Sequence, residues 1–218
     1  MQYKTILLDL DGTLMDSGEG IMKSAQYALS CMGVKVDDWQ SLRFFVGPPL
    51  EDSFIDFYGF SQEKAHEAVM AYRKRYFSKG LLEQKPYDGV MEFLSSLKDM
   101  GLTLCLATSK MVKQSRFALD HFGLGEYIEQ IFARDEAGLL HTKADVINSG
   151  LKALGIQDKS SVLMVGDRKF DIIGAKECGI ESAAVLYGYG NRKEFEEAGA
   201  TYICKDFDDI IKVIIQEE

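Results

Sequence analysis

Short apolar runs punctuate the chain at residues 5–10, 102–107, 161–165 and 182–187, each followed at once by turn or helix signals. Runs of this length between punctuating residues predict buried β-strands. Between them, apolar residues recur at helical spacing over 90–100, 113–122, 143–154 and 171–178. Gly101, Gly123, Gly155 and Gly179 stand just past these stretches, where a left-handed residue closes a helix. Weaker strand patterns occupy 130–133 and 201–203. Strands alternating with helices predict a parallel sheet flanked by helices, a Rossmann-like α/β core.

One stretch breaks the alternation. From Glu19 to Lys79, amphipathic helical patterns follow one another without an intervening strand, broken at Gly33, Gly47-Pro48-Pro49 and Gly59. This reads as an α-helical insertion after the first strand. It divides the chain into a core of residues 1–17 and 81–218 and a helical unit of 18–80, with hinges at Ser17-Gly18 and 80–87. The aromatics of the insertion, including Phe44, Phe54, Phe57, Tyr58, Tyr72 and Tyr76, recur at helical spacing and are assigned to packing.

Composition narrows the choice of partner. A length of 218 residues suits one core plus a modest insertion, and 46% hydrophobic with 27% charged residues is ordinary for a soluble globular protein. A net charge of −9 argues against a nucleic-acid partner, which draws on clustered Lys and Arg. Cys31, Cys105, Cys178 and Cys204 lie far apart with no Cys-x-x-Cys pair, fitting reduced thiols and a cytoplasmic location. No secretory pattern and no bilayer-spanning apolar run is read, so no membrane partner is expected. His66, His121 and His141 share no metal-ligand spacing and read as ordinary histidines.

The candidate chemistry gathers at strand ends. Asp9-Leu10-Asp11-Gly12-Thr13 closes the first strand, so two carboxylates one residue apart can be aimed into one cleft, beside a Gly-Thr turn whose backbone can approach an anion. Taken alone, this pair reads first as a solvated acidic strand end. Thr108-Ser109-Lys110 brings hydroxyls and backbone amides to the end of the second strand, although Thr and Ser also serve as plain helix caps. Lys143 opens a helix against the favourable dipole direction, which a bound anion explains and a solvated surface lysine explains as well. Gly166-Asp167-Arg168 ends the third strand, with Asp171 one helical turn on, so one metal ion can be oriented by both carboxylates. Open α/β sheets bind ligands at such strand ends.

Taken in order, Asp9-x-Asp11-Gly12-Thr13, Thr108-Ser109-Lys110, Lys143 and Gly166-Asp167-Arg168 with Asp171 resemble the four motifs of the haloacid dehalogenase superfamily, over nearly the whole chain. The insertion resembles that superfamily's helical cap. Arg43-Phe44-Phe45-Val46-Gly47-Pro48-Pro49-Leu50 and Tyr187-Gly188-Tyr189-Gly190 are most similar to its phosphoglycolate phosphatase-like branch, some bacterial members of which are labelled 5'-nucleotidases. The chain departs from the pattern at 133–138, where relatives more often carry a Gly-Ser pair and a shorter acidic run.

The resemblance implies a Mg²⁺-dependent phosphatase acting on a small phosphorylated metabolite, as a monomer or small homo-oligomer. Asp9 is the implied nucleophile and Asp11 the acid and then base. Asp9, Asp11 through its backbone carbonyl, and Asp167 are the implied metal ligands, with Asp171 orienting from behind. Thr108, Ser109, Lys143 and Gly12 are expected to hold the phosphoryl group, while Arg43 and Lys110 are candidates for substrate specificity. The loop 187–191 is read as structural, with Asn191 capping a helix. Asp11 and Asp167 disfavour a dehalogenase. A sugar phosphomutase, a pyrophosphatase and, from another class, a non-catalytic binding module stand as alternatives.

Overall fold

The computed structural model describes residues 2–134 and 140–216. The chain divides into two compact units, Met1–Met15 with Pro86–Glu218, and Asp16–Lys85. The first unit begins with β1 (Thr5–Leu8), and the chain passes from it to the second through β2 (Met15–Asp16). The second unit holds α1 (Gly18–Cys31), a 3-10 segment (Trp39–Phe45), α2 (Leu50–Tyr58) and α3 (Gln62–Ser78). The chain returns through β3 (Lys85–Pro86) to α4 (Val90–Asp99), β4 (Thr103–Met111), α5 (Val112–His121) and β5 (Gln130–Arg134). Then follow α6 (Lys143–Ala153), β6 (Val162–Gly166), α7 (Lys169–Cys178), β7 (Glu181–Val185), α8 (Arg192–Ala198), β8 (Tyr202–Cys204) and α9 (Phe207–Ile215).

The six strands of the first unit form the expected parallel sheet, in the order β5-β4-β1-β6-β7-β8. β1 sits between the two halves, with Thr5 opposite Thr103 of β4 on one side and Val162 of β6 on the other. Strand order therefore reverses about β1, and its carboxyl end is a topological switch point of the kind where such sheets open a crevice. Both faces are covered. Ile6 and Leu8 point into a cluster with Phe93, Leu97, Leu119 and Ile210, while Leu7 points the other way into one with Val146, Ile147 and Ala175. Burial on both sides explains why the strands read as continuous apolar runs rather than alternating ones.

β4 and α9 are among the elements that differ from the sequence reading. β4 does not stop at Ala107 but runs to Met111, with a register shift against β5 between Thr108 and Met111 that the apolar pattern does not reveal. α9 lies outside the helices read from periodicity, although Asp206 caps it by accepting from the Asp209 N–H, and Ile210 and Ile214 are fully buried one turn apart.

Within the second unit Phe54 is fully buried and lies 4.9 Å from the Phe45 ring, and Tyr72 packs on Tyr76. Phe57 departs from its expected packing role. It is 53% exposed, with the half-buried Phe44 ring against it at 4.2 Å. Arg75 of α3 grips Glu83 with two parallel hydrogen bonds of 2.7 and 3.0 Å. No helix among the described residues is long and apolar enough to cross a membrane.

Candidate active site

Asp9 is the first residue beyond β1, and its N–H donates to Val165 O of β6 at 2.9 Å, so the sheet's own ladder fixes where its side chain starts. The next turn is tight. Gly12 adopts φ 86°, and the space where a Cβ would stand is taken by the Asp167 carboxylate, so only glycine lets the turn lie against that side chain. Asp167 follows β6 directly and is completely buried.

Lys143 comes from the first turn of α6, where Thr142 and Asp145 form a reciprocal capping box. Its side chain is buried, and its Nζ donates to Asp9 Oδ1 at 2.8 Å and to Ala107 O at 3.0 Å, with Asp171 Oδ1 2.7 Å away. An ammonium has three donors. Two of them are used on Asp9 Oδ1 and Ala107 O, and Asp171 adds an ion pair, so the unfavourable placement at a helix start is offset by two carboxylates, and the surface-lysine reading falls away.

Asp9, Asp167 and Asp171 each present an oxygen within 4.8 Å of the others. Three carboxylates this close, facing one lysine, crowd negative charge in a buried place. Burial lifts the Asp9 carboxyl to about 6, against the pull of Lys143, with Asp171 and Asp11 adding to the rise. Burial also pushes Asp167 well above the usual carboxylate range, and Asp171 and Asp9 push in the same direction. For Lys143, burial opposes the charge, yet Asp171 and Asp9 outweigh it and hold the ammonium above its ordinary value.

Each Asp167 oxygen has a different fate. Oδ2 accepts the Tyr189 N–H at 2.7 Å, whereas Oδ1 is buried with no hydrogen-bond partner. Asp171 Oδ2 accepts the Arg168 N–H at 3.1 Å, and its Oδ1, which like Asp167 Oδ1 has no hydrogen-bond partner, is paired in charge with the Lys143 ammonium 2.7 Å away. A buried, bare carboxylate oxygen beside two further carboxylates fits a hard divalent cation with oxygen ligands, the chemistry Mg²⁺ requires.

The remaining residues named from sequence fall in two places. Thr108 is buried in β4, its hydroxyl accepting from the Lys110 N–H at 3.3 Å, and the register shift brackets Ser109 and Lys110. Lys110 Nζ donates to Asp11 Oδ1 at 2.7 Å, so this lysine is engaged with the second aspartate. Asp9, Asp11, Gly12, Thr108, Ser109, Lys110, Lys143, Asp167 and Asp171 all belong to the first unit, and Arg43 is exposed in the second. Of the segment 133–138, positions 135–138 lie outside the described residues. The geometry adds Tyr187, Gly188 and Tyr189, which sequence reading set aside as structural. The Gly-x-Gly spacing of Gly188 and Gly190 was the available signal, since the contacts run through backbone.

The haloacid dehalogenase-like hydrolase family model matches residues 6–185. A 5'-nucleotidase of Pseudomonas aeruginosa is 37% identical over 94% of this chain and 93% of its own length. A pyrophosphatase of Halalkalibacterium halodurans is 28% identical over 98% of both chains. The crystal structure of a predicted phosphatase from Clostridium acetobutylicum superposes with a TM-score of 0.94 at 43% identity, covering 99% of this chain and 100% of that one. With a family model spanning most of its length and a relative 37% identical along nearly all of both chains, the chain belongs to the haloacid dehalogenase-like hydrolases, as one of their phosphatases.

Proposed function

We propose that the chain hydrolyses a small phosphomonoester in two steps through a phosphoryl group carried on Asp9. The observation that supports this most directly is the buried Lys143, which holds Asp9 Oδ1 while Asp167 presents a bare buried oxygen beside it. That combination serves a fixed nucleophile and a cation site at once.

In the first step an Asp9 oxygen attacks phosphorus, the bond to the leaving oxygen breaks, and Asp11 supplies a proton to the departing alcohol. In the second, Asp11 takes a proton from water as that water attacks phosphorus, the Asp9–phosphorus bond breaks, and phosphate leaves. Lys110, donating to Asp11 Oδ1, fixes the orientation of this acid and base. Thr108, Ser109 and the backbone around Gly12 are the proposed cradle for the phosphoryl oxygens, and Lys143 contributes its charge from behind Asp9. Asp9, Asp167 and the Asp11 carbonyl would hold Mg²⁺, with Asp171 orienting from behind; the ion supplies charge neutralisation for the phosphoryl group when bound. The helical unit of 16–85, with Arg43, is proposed as a cap that selects the substrate's other end, and Lys110 remains a candidate contact.

Phosphoglycolate-like substrates are the first reading for the substrate class. A nucleoside monophosphate is the second, favoured by the 37% identity to a 5'-nucleotidase along 94% of the chain. The test is turnover of an aryl phosphate by the wild type and Asp9→Asn with and without Mg²⁺, followed by a panel of phosphoglycolate, nucleoside monophosphates, sugar phosphates and pyrophosphate. Asp9→Asn is expected to lose activity by several orders of magnitude. Retained turnover in that variant removes Asp9 as nucleophile, and isomerised sugar phosphate in place of released phosphate identifies a mutase.

A further inference from the structure

We infer that residues 187–190, the loop leaving β7, are a positioning clamp that locks the Asp11-Gly12-Thr13 turn and Asp167 against each other, with Tyr187 and Gly188 as its working residues. The inference rests on the phosphatase reading for its purpose, but its geometry stands independently. None of the four sequence motifs contains this loop.

The loop touches both halves of the site. Tyr187 Oη donates to Thr13 O at 3.0 Å, reaching the turn after Asp9. Its ring is wedged between Tyr87 and Phe207, with centroids 5.0 and 5.1 Å away, so the hydroxyl cannot swing off its acceptor without breaking two aromatic contacts. Two residues on, the Tyr189 N–H donates to Asp167 Oδ2 at 2.7 Å, and the Gly190 N–H donates to Asp167 O at 3.0 Å. Asp167 is thus held by side chain and backbone from one loop.

Gly188 lies where the two halves meet. A Cβ built there would come to 2.5 Å from Gly12 O and 2.6 Å from Asp167 Oδ2, so the loop backbone fills the gap between turn and carboxylate with nothing to spare. Both neighbours are fixed parts of the site. A methyl group at 188 must push one of them aside, whereas a residue that merely ended a strand would tolerate it.

A brace holds the loop from behind. Glu194 of α8 accepts from Arg168 Nε at 3.0 Å and from the Lys169 N–H at 2.8 Å, and its own N–H is capped by Asn191 Oδ1 at 3.1 Å. The helix that follows the clamp is therefore tied to the residues that follow Asp167. A fixed network around a metal-binding carboxylate commonly sets affinity and activity by ten- to a hundredfold.

The experiment compares Tyr187→Phe, Gly188→Ala and, as a control for general destabilisation, Gly150→Ala, whose added Cβ meets the Phe132 ring of β5, a strand separated by β4 and β1 from the β6 that leads into Asp167. Three readouts are taken on the full chain: Mg²⁺ dissociation constant by calorimetry, kcat and KM on an aryl phosphate, and amide exchange in the metal-free protein. Gly188→Ala is expected to raise the Mg²⁺ dissociation constant by at least about tenfold and to speed exchange of the Tyr189 and Gly190 amides, while the amides of β1 stay protected. Tyr187→Phe keeps the ring and removes one hydrogen bond, so it is expected to fold normally and to lower kcat about three- to tenfold with KM unchanged. Gly150→Ala is expected to leave the dissociation constant and kcat as in the wild type. Unchanged exchange at Tyr189 and Gly190 in Gly188→Ala overturns the clamp, as does an equal effect of Gly150→Ala on Mg²⁺ affinity. A wild type that neither binds Mg²⁺ nor turns over phosphate overturns the functional reading instead, and the exchange result alone then decides the clamp.

Discussion

Asp167→Asn tests the charge balance of the site with almost no change of shape. The amide oxygen keeps the Tyr189 N–H as its donor, and the amide nitrogen takes the place of the bare Oδ1, so packing against Gly12 and Gly188 is preserved. What changes is one negative charge. At the outer separation of 4.8 Å, two unit charges at an effective dielectric of about 20 repel by about 3.5 kcal/mol. Asp167 faces two such neighbours, Asp9 and Asp171, whose charges Lys143 offsets only in part. Relaxation and partial protonation reduce the gross figure, so a net gain of about 1–3 kcal/mol is expected for the metal-free protein. For a chain of this size that is a rise in Tm of about 3–10 °C. Mg²⁺ should reverse the ranking. Ligand at a hundred times its dissociation constant stabilises the wild type by about 2.7 kcal/mol, and the variant, lacking an anionic ligand, should gain little. The assay is thermal unfolding in EDTA and across a Mg²⁺ titration. A variant that melts below the wild type in EDTA, or that keeps the full Mg²⁺ shift, would refute the reading of Asp167 as a bare ligand held under electrostatic strain.

Three further outcomes follow from the same geometry. Lys143→Met leaves the buried Asp9 and Asp171 without their cation and should cost about 3–5 kcal/mol in urea unfolding, besides abolishing turnover; a loss under 1 kcal/mol means that the ammonium is not what holds the two carboxylates in place. Gly150→Ala drives a Cβ to 2.7 Å from the Phe132 ring and should lower stability by about 1–3 kcal/mol, with Tm falling and KM unmoved. Glu83→Gln breaks the double hydrogen bond with Arg75 and should cost about 0.5–1.5 kcal/mol at pH 7. Arg75 holds the Glu83 carboxyl below its usual range, so its stabilisation is complete above the unfolded value near 4.3 and disappears as pH falls through the lower folded value. The Tm gap between wild type and Glu83→Gln should therefore close below about pH 4, and a gap that persists in acid assigns the effect to packing.

What could be read from sequence was whatever is local. A buried strand writes itself as a short apolar run, and a strand-end carboxylate such as Asp9 or Asp167 follows the run immediately, so both the sheet and the candidate residues on it were legible. What depends on a partner far along the chain was not. The register shift that carries β4 to Met111 is a property of its pairing with β5. Lys143 was legible as a candidate only through the order of the motifs, because the partners that mark it, Asp9 and Asp171, come from other elements. The contacts of Tyr189 and Gly190 use backbone N–H groups, which every residue but proline has, so no residue type advertises them. Phe57 shows the opposite error, since helical spacing marks an aromatic as packed without saying whether its neighbours close over it.

The central place of β1 has a further consequence, for how the molecule comes into being. Its neighbours in the sheet are β4 and β6, and the whole helical unit Asp16–Lys85 intervenes before the first of them is reached. Lengthening such an intervening segment adds only slowly to the entropy of closing it, about 0.6 kcal/mol per doubling, so the insertion can vary in size at little thermodynamic expense. Time is another matter. Strands paired across such distances make folding slow, because the chain must be ordered before those contacts reward it. Asp9 thus sits at the tip of a strand whose two partners both come after the insertion, and until β6 pairs with it the Val165 carbonyl that anchors Asp9 is absent. During refolding, phosphatase activity should return with the last phase of sheet formation and lag behind the helical signal.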